Sequence, residues 1–215
     1  MKKPGAIVVA ALLALSMAIF SSCGDKEKYE GADGIPSLAF MRSLLAGGYD
    51  DKLVAEGYSF VGYYDDAGNV PGYAKMLDEN WQAIVTIDGS STPTAMFYDK
   101  QLAAEPYPYV DAAKRFRTIF AEERTMVPDS SVTQFNATIV DNPGDSASAT
   151  RRFTSREDFH RAIERYFASA DSVKSHQKGI KLALTSAKLA LTIEYNTPLT
   201  NSTRQSSIAV SRLTQ

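Results

Sequence analysis

The sequence predicts an α+β fold, a mainly antiparallel sheet built from hairpins with three or so helices packed on one face. Three observations carry this prediction. Aromatic and β-branched runs separated by turn residues fill the stretch from Tyr58 to Lys100. Two later segments, opening at Asp111 and Thr154, space their apolar residues three and four apart. The regular strand–helix alternation that a parallel sheet with right-handed crossovers needs is missing.

The elements follow in order. Gly34-Ile35-Pro36-Ser37 reads as a helix start, with Pro tolerated in the first turn. Leu38, Met41, Leu44 and Leu45 then recur at helical spacing until Gly47-Gly48 ends the run, and residues 50–56 suit a short second helix. Residues 58–64 read as a strand, Asp65-Asp66-Ala67-Gly68-Asn69 as a turn and residues 73–77 as the returning strand. Residues 81–88 and 95–100 suggest a second hairpin across Gly89-Ser90-Ser91-Thr92-Pro93. The prolines of Glu105-Pro106-Tyr107-Pro108-Tyr109 restrict themselves and their predecessors, which rules out regular helix there.

Asp111 offers an N-cap for a helix to about Arg124, with Ala112, Phe116, Ile119 and Phe120 as its apolar stripe. Residues 132–140 read as a strand followed by a loop, Asp141-Asn142-Pro143-Gly144-Asp145-Ser146. Thr154-Ser155-Arg156-Glu157 matches a capping box, in which hydroxyl and carboxylate satisfy each other's orphan amides. The helix it opens places Phe159, Ile163, Tyr166, Ala170 and Val173 on one face. Lys174, His176 and Lys178 fall in its last turn, and Gly179 is its expected stop. Residues 181–185 and 188–192 form a near-duplicated unit whose Leu, Ala and Lys favour helix. Leu189, Leu191, Ile193 and Tyr195 alternate strictly, however, so a hairpin turning at Thr185-Ser186-Ala187 is preferred. The tail from Asn196 is polar and carries one candidate edge strand at residues 208–213.

Composition narrows the function classes. The 215 residues carry 23 Lys+Arg against 25 Asp+Glu, so no basic excess exists to neutralise phosphates, and nucleic acid is not an expected partner. The single Cys excludes an intrachain disulfide and a thiolate metal cage.

The one specific motif lies at the start. Lys2 and Lys3 precede an apolar run from Ala6 to Phe20, interrupted only by Ser16, and Phe20-Ser21-Ser22-Cys23 closes it. The run has 15 residues, short of the roughly 20 that span a bilayer as a helix. This segment resembles a bacterial lipoprotein signal, with Phe20 where Leu is usual. The resemblance implies cleavage before Cys23 and attachment of a diacylglycerol to its thiol, so that acyl chains tie the protein to a membrane. Residues 1–22 are then the signal peptide, 23–35 a lipidated tether, 36–196 a single α+β domain and 197–215 a polar tail. The mature chain has 193 residues (215 less the 22 of the leader), and loss of Lys2 and Lys3 takes the net charge from −2 to −4. Gly24, where Asp would retain the chain in the inner membrane, implies the outer membrane. Asp25, Glu27 and Glu30, diluted by Lys26 and Lys28, leave a periplasmic and a surface-exposed orientation both open.

Catalytic candidates are thin. With Cys23 used by the anchor, a hydroxyl triad would need His160 or His176, and neither lies near a glycine-rich nucleophile turn. Ser175-His176-Gln177-Lys178 matches the Ser-x-x-Lys spacing of penicillin-binding enzymes but lacks their companion segments. Glu157, His160 and Glu164 lie three and four apart and can share a helical face, a weak pattern for zinc or iron. A solvated face with a Glu157–Arg161 pair explains them better. Asp65, Asp66 and Asn69 lack the spacing of a calcium loop. No cofactor is implied.

Ten aromatics fall between Tyr58 and Tyr109. Tyr58, Phe60 and Tyr64 are expected on one side of their strand with Tyr63 on the other. Two adjacent aromatics cannot both enter one core layer, so Tyr63 or Tyr64 is expected outside. Tyr107 and Tyr109 are candidates for a rigid presented loop. Ser146 and Ser172, each after an Asp, resemble short O-glycosylation acceptors, and Ser146 lies in the loop. The sequence thus points to a lipid-anchored envelope protein with a non-catalytic binding or assembly role toward a glycan or envelope protein. The alternative is a small envelope hydrolase whose acidic residues the sequence does not identify.

Overall fold

The computed structural model describes residues 36–77, 81–90, 92–99, 109–143, 145–175, 177–197 and 206–213. The expected leader, Cys23 and the expected tether lie outside these residues. Nine strands form one sheet in the order β1-β2-β3-β4-β9-β8-β7-β5-β6, with every neighbouring pair antiparallel. The strands are β1 (Ser59–Tyr63), β2 (Pro71–Met76), β3 (Trp81–Ile87), β4 (Pro93–Asp99), β5 (Val132–Asp141), β6 (Thr150–Phe153), β7 (Lys178–Ser186), β8 (Leu189–Asn196) and β9 (Ser206–Arg212). Helices α1 (Leu38–Leu44), α2 (Tyr49–Ala55), α3 (Tyr109–Met126), α4 (Arg156–Ala168) and α5 (Ala170–Ser175) cover one face of it. No helix among the described residues is long and apolar enough to cross a membrane. The fold is α+β with a mainly antiparallel sheet, as the sequence predicts.

The core lies between helices and sheet, where strand periodicity delivers alternate side chains. Ile180, Leu182 and Leu184 of β7 face Tyr195, Ile193 and Leu191 of β8 and are buried, while Lys181 and Glu194 pair on the opposite face at 3.4 Å. The Ser186 hydroxyl accepts from the backbone N–H of Lys188 (3.3 Å) and of Leu189 (3.1 Å), which closes the hairpin turn. From α3, Phe116, Ile119 and Phe120 enter this core, and Phe116 meets Tyr195 with ring centroids 5.2 Å apart. Fully burying such a side chain is worth roughly 1.5–3 kcal/mol. Ser37 caps α1 by accepting from Phe40 N–H at 3.1 Å.

Several expectations need correction. The candidate edge strand at the C-terminal end is β9, which lies between β4 and β8 and joins the two halves of the sheet. The domain therefore extends beyond residue 196. Helix α3 begins at Tyr109, two residues before the expected Asp111 cap. The α4 cap is Ser155, whose hydroxyl accepts from Asp158 N–H at 3.2 Å, one residue later than the Thr154–Glu157 box. The long helix expected from residue 155 to 178 breaks at Ser169 (φ −110, ψ 110), whose hydroxyl then accepts from Ser172 N–H at 3.1 Å and starts α5. Gly179 is no helix stop. It sits inside β7 between Val140 and Asn196. Strand β6, opposite residues 137–140 of β5, had no counterpart in the sequence reading.

Candidate functional site

The outermost strand β1 reads Ser59-Phe60-Val61-Gly62-Tyr63, and its free edge carries no charged side chain. Its pairing with β2 shifts between Phe60↔Tyr73 and Gly62↔Gly72, so Val61 is an extra, bulged residue. Gly62 takes φ +129, a conformation that L side chains rarely adopt, and thereby permits the bulge. The bulge reverses the alternation. Phe60 and Tyr63, three residues apart, end on the same side with ring centroids 5.3 Å apart. Phe60 also meets the buried Tyr73 edge-on at 5.6 Å, and Tyr73 meets Tyr49 of α2 at 6.4 Å. Tyr64 falls on the opposite side, its ring over Gly72, where an added Cβ would come within 2.1 Å of it. The expected grouping of Phe60 with Tyr64 is thus replaced by Phe60 with Tyr63, because an unbulged strand was assumed.

Both adjacent tyrosines are outside. Phe60 is 51%, Val61 53%, Tyr63 60% and Tyr64 47% exposed, while Tyr58 is buried against Phe40 with rings stacked at 6.4 Å. The turn behind them is fixed by Asp65, whose Oδ1 accepts from the N–H of Asn69 (2.7 Å) and Val70 (3.1 Å). Partial desolvation alone would raise the Asp65 carboxyl, but these backbone donors and the Asn69 side chain hold it below the usual range. That carboxylate serves the turn. Tyr107 lies outside the described residues. Tyr109 is the first residue of α3 and not part of a presented loop.

The weak metal candidates are not brought together. Glu157 pairs with Arg124 and Glu164 with Arg117, each at 2.8 Å, so both carboxylates lock α4 to α3. Hydrogen bonding from Arg124, then its charge, holds the Glu157 carboxyl below the ordinary range. His160 turns inward, where its Nε2 pairs with Glu123 of α3. Among the described residues no group of three His, Cys, Asp or Glu side chains converges to hold a metal ion. His176 lies outside the described residues, and Lys178 of the Ser-x-x-Lys match belongs to β7, ion-paired with Asp141. Ser146 is exposed in the β5–β6 turn, and Ser172 is half-buried in α5.

The sequence reading missed Glu123. It is 0% exposed and meets Arg156 at both carboxylate oxygens, as well as His160. Arg156 also donates to Asp129 Oδ1 at 2.6 Å and to the Val127 carbonyl at 2.7 Å. The available signal was positional: Glu123 follows Phe116, Ile119 and Phe120 at helical spacing and so occupies their stripe. No hydroxyl or thiol of a described residue hydrogen-bonds His160, and its pair with Glu123 joins α4 to α3. Comparison of the chain with protein-family models, curated proteins and solved structures finds no match.

Proposed function

We propose that this chain is a lipid-anchored envelope protein that binds a partner along the β1 edge of its sheet. The anchor rests on the resemblance of residues 1–23 to a lipoprotein signal. The observation that carries the binding role is the uncharged, aromatic edge formed by Phe60, Val61, Tyr63 and Tyr64. An open edge strand offers unpaired backbone N–H and C=O groups, and proteins ordinarily blunt such edges with charge. The other edge, β6, carries exposed Arg151 and Arg152, whereas β1 has no such protection. Of a glycan and a protein, this favours a protein contributing an extended segment as a tenth strand, with aromatic rings gripping it from both faces.

The hydrolase alternative draws no comparable support. The carboxylates of Glu123, Asp141, Glu157, Glu164 and Glu194 are each held by a cation, not gathered about a cleft. The test is a crosslinking pull-down from the native envelope with wild type and with a Phe60→Ser, Tyr63→Ser, Tyr64→Ser variant. Loss of a specific partner at unchanged melting temperature is expected; an unchanged partner set would refute the reading. Labelling with an alkyne fatty acid checks the anchor separately, with signal in wild type and none in Cys23→Ala.

A further inference from the structure

Three cations surround a groove far from the β1 edge, with β2, β3 and β4 lying between β1 and β9. Arg42 lies in the last turn of α1, Lys188 occupies the β7–β8 turn and Arg212 ends β9, and the groove they line has a volume of about 480 Å³. Its remaining wall is apolar, formed chiefly by Leu45, Leu189 and Leu213, the last 37% exposed. Two hydrogen bonds tie the walls together: Leu213 N–H donates to the Lys188 carbonyl at 3.1 Å, and the Arg212 guanidinium donates to the Leu45 carbonyl at 3.4 Å.

No acidic side chain of the described residues pairs with Arg42, Lys188 or Arg212. This contrasts with Arg117, Arg124, Arg156, Lys178 and Lys181, each of which has a carboxylate partner. In a chain with more acids than bases, a groove whose charged lining is three cations beside leucines is a specific arrangement. The volume falls within the range of small-molecule sites. Positive groups around one mouth select an anion, and the leucine wall selects an alkyl chain attached to it.

We infer that this groove binds a single-chain anionic amphiphile, with its acid group among Arg42, Lys188 and Arg212 and its alkyl chain against Leu45, Leu189 and Leu213. The site is distinct from the β1 edge. Titrating the folded chain with sodium dodecanoate below its micelle concentration, followed by calorimetry, tests the proposal. One-to-one binding is expected, weakened at least about tenfold by Arg42→Gln with Lys188→Gln and also by Leu213→Ser. These are exposed positions, and unchanged melting temperatures confirm that the variants fold. Dodecyl maltoside binding as tightly as dodecanoate would overturn the role of the cations. Inorganic phosphate binding as tightly would overturn the role of the leucines. Sedimentation with phosphatidylglycerol vesicles that the double variant abolishes, without dodecanoate binding, would overturn the single-ligand site in favour of a membrane-facing surface.

Discussion

Replacing Glu123 with alanine removes the centre of the polar cluster between α3 and α4. Arg156, whose side chain is 9% exposed, then loses both its contacts to the Glu123 carboxylate, and His160 loses its Nε2 partner. Breaking a buried pair by deleting one member costs about 3–5 kcal/mol, because the remaining charge stays buried. Arg156 keeps Asp129 at 2.6 Å and the Val127 carbonyl at 2.7 Å, which places the expected loss near the lower end, about 3 kcal/mol. For a domain of this size that lowers the melting temperature by about 6–12 °C. The assay is urea unfolding of the mature domain followed by circular dichroism, with Glu157→Ala as the control. Glu157 is 65% exposed in its pair with Arg124, where solvent screens the pair, so its loss should cost far less than that of Glu123. Replacing the cluster as a whole, Glu123→Leu with Arg156→Met and His160→Phe, should recover most of the loss, since an apolar replacement leaves no charge behind. If Glu123→Ala unfolds within about 1 kcal/mol of Glu157→Ala, the reasoning fails.

Gly72→Ala should push the Tyr64 ring off the sheet, since the new Cβ would meet it at 2.1 Å. Tyr64 is exposed enough to swing away, so the cost should stay near about 1 kcal/mol while near-ultraviolet circular dichroism changes; an unaltered tyrosine signal would count against the packing. The stability difference between wild type and Glu157→Gln should hold at neutral pH. The native carboxyl is depressed by Arg124, so the difference closes as pH falls from the ordinary glutamate value of about 4.3 through the lowered native one. Urea midpoints at stepped pH follow it, and a difference that widens on acidification would reverse the assigned sign. Hydrogen exchange should protect β7 and β8 more strongly than β1 and β2, because the former lie mid-sheet under α3 and the latter end in an open edge. Equal protection across these strands would contradict that difference.

What the sequence revealed depended on how local the deciding interactions are. The β7–β8 hairpin was legible because Leu189, Leu191, Ile193 and Tyr195 carry the period of a half-buried strand through to its end. Phe116, Ile119 and Phe120 of the α3 stripe were legible for the same reason at helical period, while the buried alanine beside them is Ala113. The position of β9 was not, because Ile208 is placed by pairing with Ala95, more than a hundred residues away, and no local pattern encodes that. Strand β6 is short and bears Arg151 and Arg152, which removes the apolar alternation that marks a strand. Ser169 breaks the long helix through a hydroxyl that competes for backbone amides, a choice the sequence leaves to tertiary contacts. At the candidate site, the excess of aromatics was visible, but which rings share a side was not. That was decided by one bulged residue, Val61, and the glycine after it.

The same bulge bears on how readily this aromatic edge can pair with a second copy of the chain. A flat apolar edge pairs readily with another copy, whereas an extra residue twists the strand and interrupts the ladder. In β1 the interruption falls at Val61, between the Phe60 and Gly62 pairings, so an incoming strand must match an irregular register to bond on both sides of it. A second β1 running antiparallel in full overlap would set one bulge against the other. On the proposed reading the rings are offered to a partner whose extended segment fits the interrupted ladder, and the feature that upset the simple reading of this strand is the one that would make its edge selective.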